Sequence, residues 1–510
     1  MIKTAITKIA LVGFWPLIFT LAPSLEPIAS AQPAKISQSD LANTPLKLVE
    51  RANSLREQNQ LDRALTLYRQ AIAASPELVP AYYGLGVTLR QKGDIQGAIE
   101  AHRQAILIDK NYTPAYYGLG IALYQKGDAN GAIDAYNQFI KLSKEDVNLA
   151  PVYYNLGLAN ERKSNLRGAI AAFRKALEFD PKYALAHNGL GTVLRRQGNR
   201  KEAIASYRNA IELAPQYAVA HFALGISLYE DLDYVGAIAA YKQVIAIDPN
   251  FPNVYYNLGL TYNQAGDYAS AIATFRKAAT QDPRNADIYA ALGSALLREV
   301  NIPEAIEAFK RSTELNPRVA STFNGLGLAL RRQGDLQGAI AAYEKSIAIN
   351  PRYTEAYNNL GRVLSDQNLT ADAIKAFRQA IAIDSKNAVA YSNLGNLLRA
   401  QGNSDEAIEA FQQAIAIGKE DLWVDYTNLG LAYADRGRLG EAQTAYFKSL
   451  SLNPNFAKAH FGLGALYTLK GEVSNAIRSY QEALKLYEEN RDAEWIKRTQ
   501  QAIQALQGIT

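Results

Sequence analysis

The stretch Gly189–Asn199, GLGTVLRRQGN, returns almost unchanged at Gly325–Asp335 as GLGLALRRQGD, 136 residues or four times 34 further on. A return on a fixed beat marks one small unit copied along the chain. With the Leu-Gly pair of this phrase as a ruler, twelve glycines run from Gly86 to Gly464, and every step is 34 except 37 before Gly157 and 35 before Gly430. Twelve residues after each stands an alanine, from Ala98 to Ala476. One period upstream, Ala52 and Ala64 take the two places, followed in register by Tyr68, Ala71 and Pro76.

With the Leu-Gly pair numbered as positions 7 and 8, positions 4, 7, 8 and 11 read as Tyr255, Leu258, Gly259 and Tyr262, one face of a helix. Positions 20, 21, 24, 27 and 28 read as Ala203, Ile204, Tyr207, Ala210 and Ile211, the apolar face of a second. Between them QGN, KGD and AGD supply a left-handed glycine and an N-capping Asn or Asp. Prolines such as Pro181, Pro215 and Pro351 are expected to stop the second helix. The unit is a helical hairpin in which Gly at 8 and Ala at 20 let the helices approach while the aromatic at 24 fills the gap.

This set of markers at a period of 34 resembles the tetratricopeptide repeat (TPR). We read thirteen units over 45–490, position 7 of the first being Arg51 rather than Leu. A C-terminal capping helix is expected over 491–510, with Trp495, Ile496, Thr499, Ile503 and Leu506 on one stripe. The fold class is therefore all-α, an α-solenoid of helical hairpins, and the resemblance implies a right-handed superhelix.

The chain has 510 residues, 48% hydrophobic and 20% charged, which is enough apolar material for a continuous core. A net charge of +5 is too small for a concentrated basic face, so no nucleic-acid partner is expected. Cysteine is absent, which excludes disulfides, thiolate metal sites and a lipid-modified cysteine. Lys3 and Lys8, the apolar run Ile9–Ala22 and the Ala29-x-Ala31 pair read as a signal peptide over 1–31, followed by a polar linker over 32–44. The apolar run is 14 residues, short of the roughly 20 that span a bilayer, so no stable membrane insertion is expected after cleavage. The expected location is exported, in the periplasm, or else in a lumen or outside the cell.

Nothing in the spacing points to an enzyme or a cofactor. His187, His221 and His460 stand at position 4 and His102 at position 24, aromatic positions in other units, so no metal site is assigned. No glycine-rich phosphate loop remains once the glycines are explained by packing and turns.

The resemblance implies that positions 2, 5, 9, 12 and 13 of the first helix face a concave groove. It places Arg195, Arg196, Arg298, Arg331, Arg332 and Arg399 there at position 12 or 13, with Arg362 at position 9 and Arg56, Arg90 and Arg162 beside them. Guanidinium groups grip carboxylates in two parallel hydrogen bonds, which suits an acidic peptide or an anionic glycan. At position 5, Tyr83, Tyr117, Tyr154 and Tyr256 suggest an aromatic wall, with packing against the next unit as the competing reading. Asn257, Asn359 and Asn393, each just before Leu-Gly, resemble asparagines that hold peptide backbone in the repeat region of O-linked N-acetylglucosamine transferases. The expected function is an exported scaffold or adaptor that binds proteins or peptides in the groove. Two alternatives stand beside it: a glycan-binding helper in polysaccharide export or cell-wall assembly, and a periplasmic assembly or metal-delivery factor.

Overall fold

The structure is a computed structural model that describes residues 44–144, 147–418 and 420–508. The expected signal peptide over 1–31, and all of the expected linker but Thr44, lie outside the described residues. Among the described residues there are twenty-seven α-helices and no strand. They pair in order as hairpins of a helix A and a helix B, from Pro45–Glu57 with Leu61–Ala74 to Ala457–Leu469 with Val473–Glu489. A last helix, Ala493–Gln507, follows them. No helix among the described residues is long and apolar enough to cross a membrane.

Local chemistry sets the helix ends. Asp94, Asp128, Asp233 and Asp335 each accept a hydrogen bond from the backbone N–H three residues on, at 2.8–2.9 Å, and so cap a helix B. At the other end an Asp or Asn accepts from the N–H two residues on, as Asp109 does from Asn111 and Asp384 from Lys386. This side-chain turn competes with the helix for the backbone. It acts with the proline present, as at Asp180–Pro181, and equally with Lys110 or Ser385 in the proline's place. The prolines expected to stop helix B are therefore helpers rather than the cause.

Between the helices of a hairpin the chain passes through a left-handed residue, usually glycine, with Gly198 at φ +89°. Val300 holds this place at φ +60° with its side chain 72% exposed. A β-branched residue in this region is strained, and an exposed one gains no packing in return. Val300→Asn is expected to raise stability by about 1 kcal/mol in urea unfolding, as Asn adopts this conformation at Asn59 and Asn368.

The aromatic at position 24 does more than fill its own hairpin. Phe173 is fully buried, and a Cβ added at Gly157, position 8 of the same repeat, or at Gly189, position 6 of the next, would lie within 2.8 Å of its ring. The same clasp recurs for Phe309 between Gly293 and Gly325. Each ring thus locks one hairpin onto its successor.

By contact the chain divides into two compact units, at Asp267 and Tyr268. Within each unit the A helices of successive hairpins touch, as Pro45–Glu57 does Val79–Gln91 and Ala286–Arg298 does Ala320–Gln333. Successive B helices do not meet to a comparable degree. Each stack is therefore curved with its A helices on the inside. At the C-terminal end Trp495 and Ile496 pack on Phe461, Tyr487 and Leu486, while Ile503 and Leu506 cover Tyr480 and Ala476.

Candidate functional site

The A helices lie side by side within each unit, so the end of one helix reaches the end of the next. Arg195 at position 12 donates to Glu230 at position 13 of the following repeat, 2.8 Å away. Arg331 bonds Asp366 at 2.7 Å and Arg399 bonds Asp435 at 3.0 Å by the same rule. Arginines at position 13 reach the other way, to position 12 of the preceding repeat. Arg196 meets the Glu161 carboxylate at 3.1 Å, Arg332 donates to the Leu297 carbonyl at 2.8 Å and Arg162 to the Tyr124 carbonyl at 2.6 Å. The offsets in sequence are 35, 36 or 38, always one more than the local period.

Glu161 is the most deeply set of these acids, with 7% of its side chain exposed. Burial pushes its carboxyl up, and the charge of Arg196 pulls it back down. This is the requirement of a buried carboxylate, which is tolerable only with a cation in bonding contact.

The arginines predicted at the ligand face thus fall into two groups. Arg195, Arg196, Arg331, Arg332 and Arg399 are bound to their own chain and stitch helix A to helix A. Arg298 and Arg362 are exposed, with no acidic partner among the described residues. Arg56 and Arg90 are half-buried and likewise lack one. The acids that complete the ladder were not picked out from the sequence, although an acid one period plus one residue from each arginine was there to find.

The aromatic wall is mostly core. Tyr117, Tyr154 and Tyr256 are buried, and only Tyr83 of the four is half-exposed. Position-5 rings lean on the position-24 ring of their own repeat, as in Tyr83–His102 at 5.7 Å, Tyr117–Tyr136 at 6.1 Å and Tyr154–Phe173 at 5.8 Å. The following loop closes over it, through Tyr112 on Tyr83 and Tyr183 on Tyr154. Packing between repeats claims the surface that a ligand would have used. Burial pushes the Tyr117 hydroxyl up to about 12, so it acts as a neutral hydrogen-bonding group, accepting from Asn155 at 2.9 Å.

Of the asparagines, Asn257 is buried, Asn359 donates to Asn324 in the preceding repeat at 2.9 Å, and Asn393 is half-buried. The position-4 histidines share one arrangement: His187, His221 and His460 each donate Nε2–H to the proline carbonyl six residues back at 2.9 Å. No group of three or more potential ligands that could hold a metal occurs among the described residues.

Family models described as tetratricopeptide repeat or TPR repeat match along the chain, at residues 49–115, 114–144, 162–198, 191–231, 233–266, 256–320, 318–386, 358–421, 430–471 and 457–490. The chain belongs to the tetratricopeptide repeat family, and as such it is a protein-binding scaffold. Among solved structures it is similar to Cut9 with Hcn1 from the APC/C hetero-tetramer, at 18% identity over 90% of this chain and 97% of that one, with a TM-score of 0.40. It is also similar to MamA, at 33% identity over 34% of this chain and 93% of that one, TM-score 0.32. A third is YrrB, a TPR protein with an unusual peptide-binding site, at 20% identity over 37% of this chain and 96% of that one, TM-score 0.33. No curated protein matches the sequence.

Proposed function

We propose that the protein is an exported scaffold of thirteen repeats over 45–490, closed by the helix after them, that holds acidic segments of partner proteins on the inner, helix-A face. The observation that supports this reading most is that Arg56, Arg90, Arg298 and Arg362, all at positions 9, 12 or 13 of A helices, are bonded to no acid or carbonyl of their own chain among the described residues. The paired arginines serve the same end indirectly, since a face stitched at six places is ordered before the ligand arrives. Export rests on the basic, apolar and Ala-x-Ala pattern of residues 1–31.

Distributed recognition has a measurable signature. Acidic peptides lengthened from the footprint of one repeat to that of several are expected to bind in steps of rising affinity. Titration calorimetry with a graded series checks this. A series whose affinity does not change with length would overturn the reading.

A further inference from the structure

The outer, helix-B side of the array has a charge pattern of its own. In the fourth, fifth and sixth repeats, positions 18, 22, 25 and 26 are exposed on the helices Leu166–Phe179, Arg200–Leu213 and Tyr234–Ile247. Position 22 is Ala171, Ala205 and Ala239, and the cations Arg167, Arg174, Lys175, Lys201, Arg208 and Lys242 stand to either side of it along the helices. Other repeats break this pattern with acids. Glu100 and Asp134 take position 22 in the second and third, Glu307 takes it in the eighth, and Glu344 takes position 25 in the ninth. A chain whose net charge is only +5 thus gathers cations over three consecutive hairpins.

Neighbouring B helices stand close enough for their side chains to act together. Arg174 reaches Glu202 of the next repeat at 3.1 Å. Between the same two hairpins lies a cleft of about 270 Å³, lined by Arg167, Arg174, Gln197 and Asn199 with Ile170 and Leu194. Arg167, Lys201 and Arg208 are bonded to no acid among the described residues. The acids nearby are few: Glu202 and Glu178 are held by Arg174 and Lys175, and Glu212 stands in the last turn of its helix. Both pairs are more than half exposed, and an exposed pair contributes so little that an incoming anion can take the place of its acid.

The residue types select the ligand. Guanidinium groups grip a carboxylate or sulfate in two parallel hydrogen bonds, and the amides of Gln197 and Asn199 suit hydroxyls. A bilayer surface needs large apolar anchors, of which the exposed positions offer only Val235. A single-stranded nucleic acid needs aromatic platforms, and these positions offer none. Anionic groups and hydroxyls repeated along one strand are the chemistry of an acidic polysaccharide.

We propose that the outer face of the fourth to sixth repeats binds an acidic polysaccharide, whose strand lies across the three B helices with an anionic sugar seated in the cleft between Arg167 and Arg174. A row of cations beside a cleft concentrates such a polymer and holds it at several points at once. This surface is separate from the helix-A face, so it stands whether or not acidic peptides bind there.

The test uses the full chain with two probes, polygalacturonate and dextran sulfate, each against its uncharged counterpart, methyl-esterified polygalacturonate and dextran. The two acidic polymers distinguish carboxylate from sulfate as the group recognised. The wild-type chain is expected to bind at least one of them and neither neutral polymer, with an affinity that falls as salt rises. The variant Arg167→Gln/Arg174→Gln/Arg208→Gln is expected to bind at least about tenfold more weakly. The control Arg311→Gln/Lys345→Gln/Arg378→Gln removes the same charge from exposed B-helix positions of the eighth to tenth repeats and is expected to bind as the wild type does. All six side chains are exposed, so the melting temperatures of the three chains are expected to agree within about 2 °C. Absence of binding to both acidic polymers would overturn the proposal, as would undiminished affinity in the first variant. An equal loss in the control would reduce the effect to overall charge and overturn it too. Tighter binding to oligothymidylate or to phosphatidylglycerol vesicles, lost in the first variant, would assign the face to a nucleic acid or a membrane instead.

Discussion

Arg196→Ala is expected to destabilise the protein by about 3 kcal/mol at neutral pH, because it leaves the carboxylate of Glu161 buried with no cation. The half-exposed Arg196 side chain contributes little packing, so the cost comes from its partner. Two further measurements distinguish this from general damage. Glu161→Gln in the same chain is expected to recover most of the loss, since a neutral amide tolerates burial. The deficit is also expected to shrink in acid. Burial already holds the folded-state carboxyl of Glu161 above its ordinary value, and without Arg196 it rises further. A group raised on folding adds stability when protonated and loses it as pH rises through its folded value. Urea unfolding of the single and double variants at pH 7 and near pH 5 gives both answers; a deficit that neither Glu161→Gln nor acid reduces would mean that Arg196 acts through other contacts.

The ladder also constrains how binding experiments on this face can be read. Alanine at Arg195, Arg196, Arg331 and Arg332 together would cut stitches between neighbouring A helices, so a partner lost by that variant would report a loosened stack as readily as a lost contact. The arginines whose removal tests recognition cleanly are those that hold nothing together.

The hairpin, its small residues at positions 8 and 20 and its aromatic at 24 were legible because each leaves a mark at a fixed place within one period. What lay outside one period was harder to see. Position 5 looked like ligand surface because a helix repeat assigns residues to faces, and a face shared with the next repeat is indistinguishable in one unit from a face open to solvent. The residues that cover these rings stand late in the same repeat, Tyr183 over Tyr154 and Phe139 against Tyr117. The fate of Arg195 is written at Glu230, one period and one residue on, so reading it requires two units in register. Gly189 marks the same lesson at position 6, where it makes room for Phe173 of the repeat before.

That same clasp leads to the second large effect, in the opposite direction. His102 occupies the position of Phe173, fully buried, with Gly86 and Gly118 pressed against its ring as Gly157 and Gly189 are against the phenylalanine. Neither ring nitrogen has a hydrogen-bond partner. Burying two unpaired polar atoms is costly, and a phenyl ring has none to bury, so His102→Phe is expected to stabilise the protein by about 2 kcal/mol at pH 7, net of some crowding from the larger ring. The gain should widen in acid. Burial first, and then the charge of Arg90, push His102 down to about 3 from its ordinary 6.5. Between these values the unfolded chain takes up a proton that the folded chain refuses, so stability is lost as the pH is lowered, at about 1.4 kcal/mol per unit. The phenylalanine variant lacks this slope. Urea unfolding of both chains at pH 7 and pH 5 measures it as a difference in which every other titrating group cancels; parallel pH profiles for the two would mean that the imidazole finds a partner or water in the folded state.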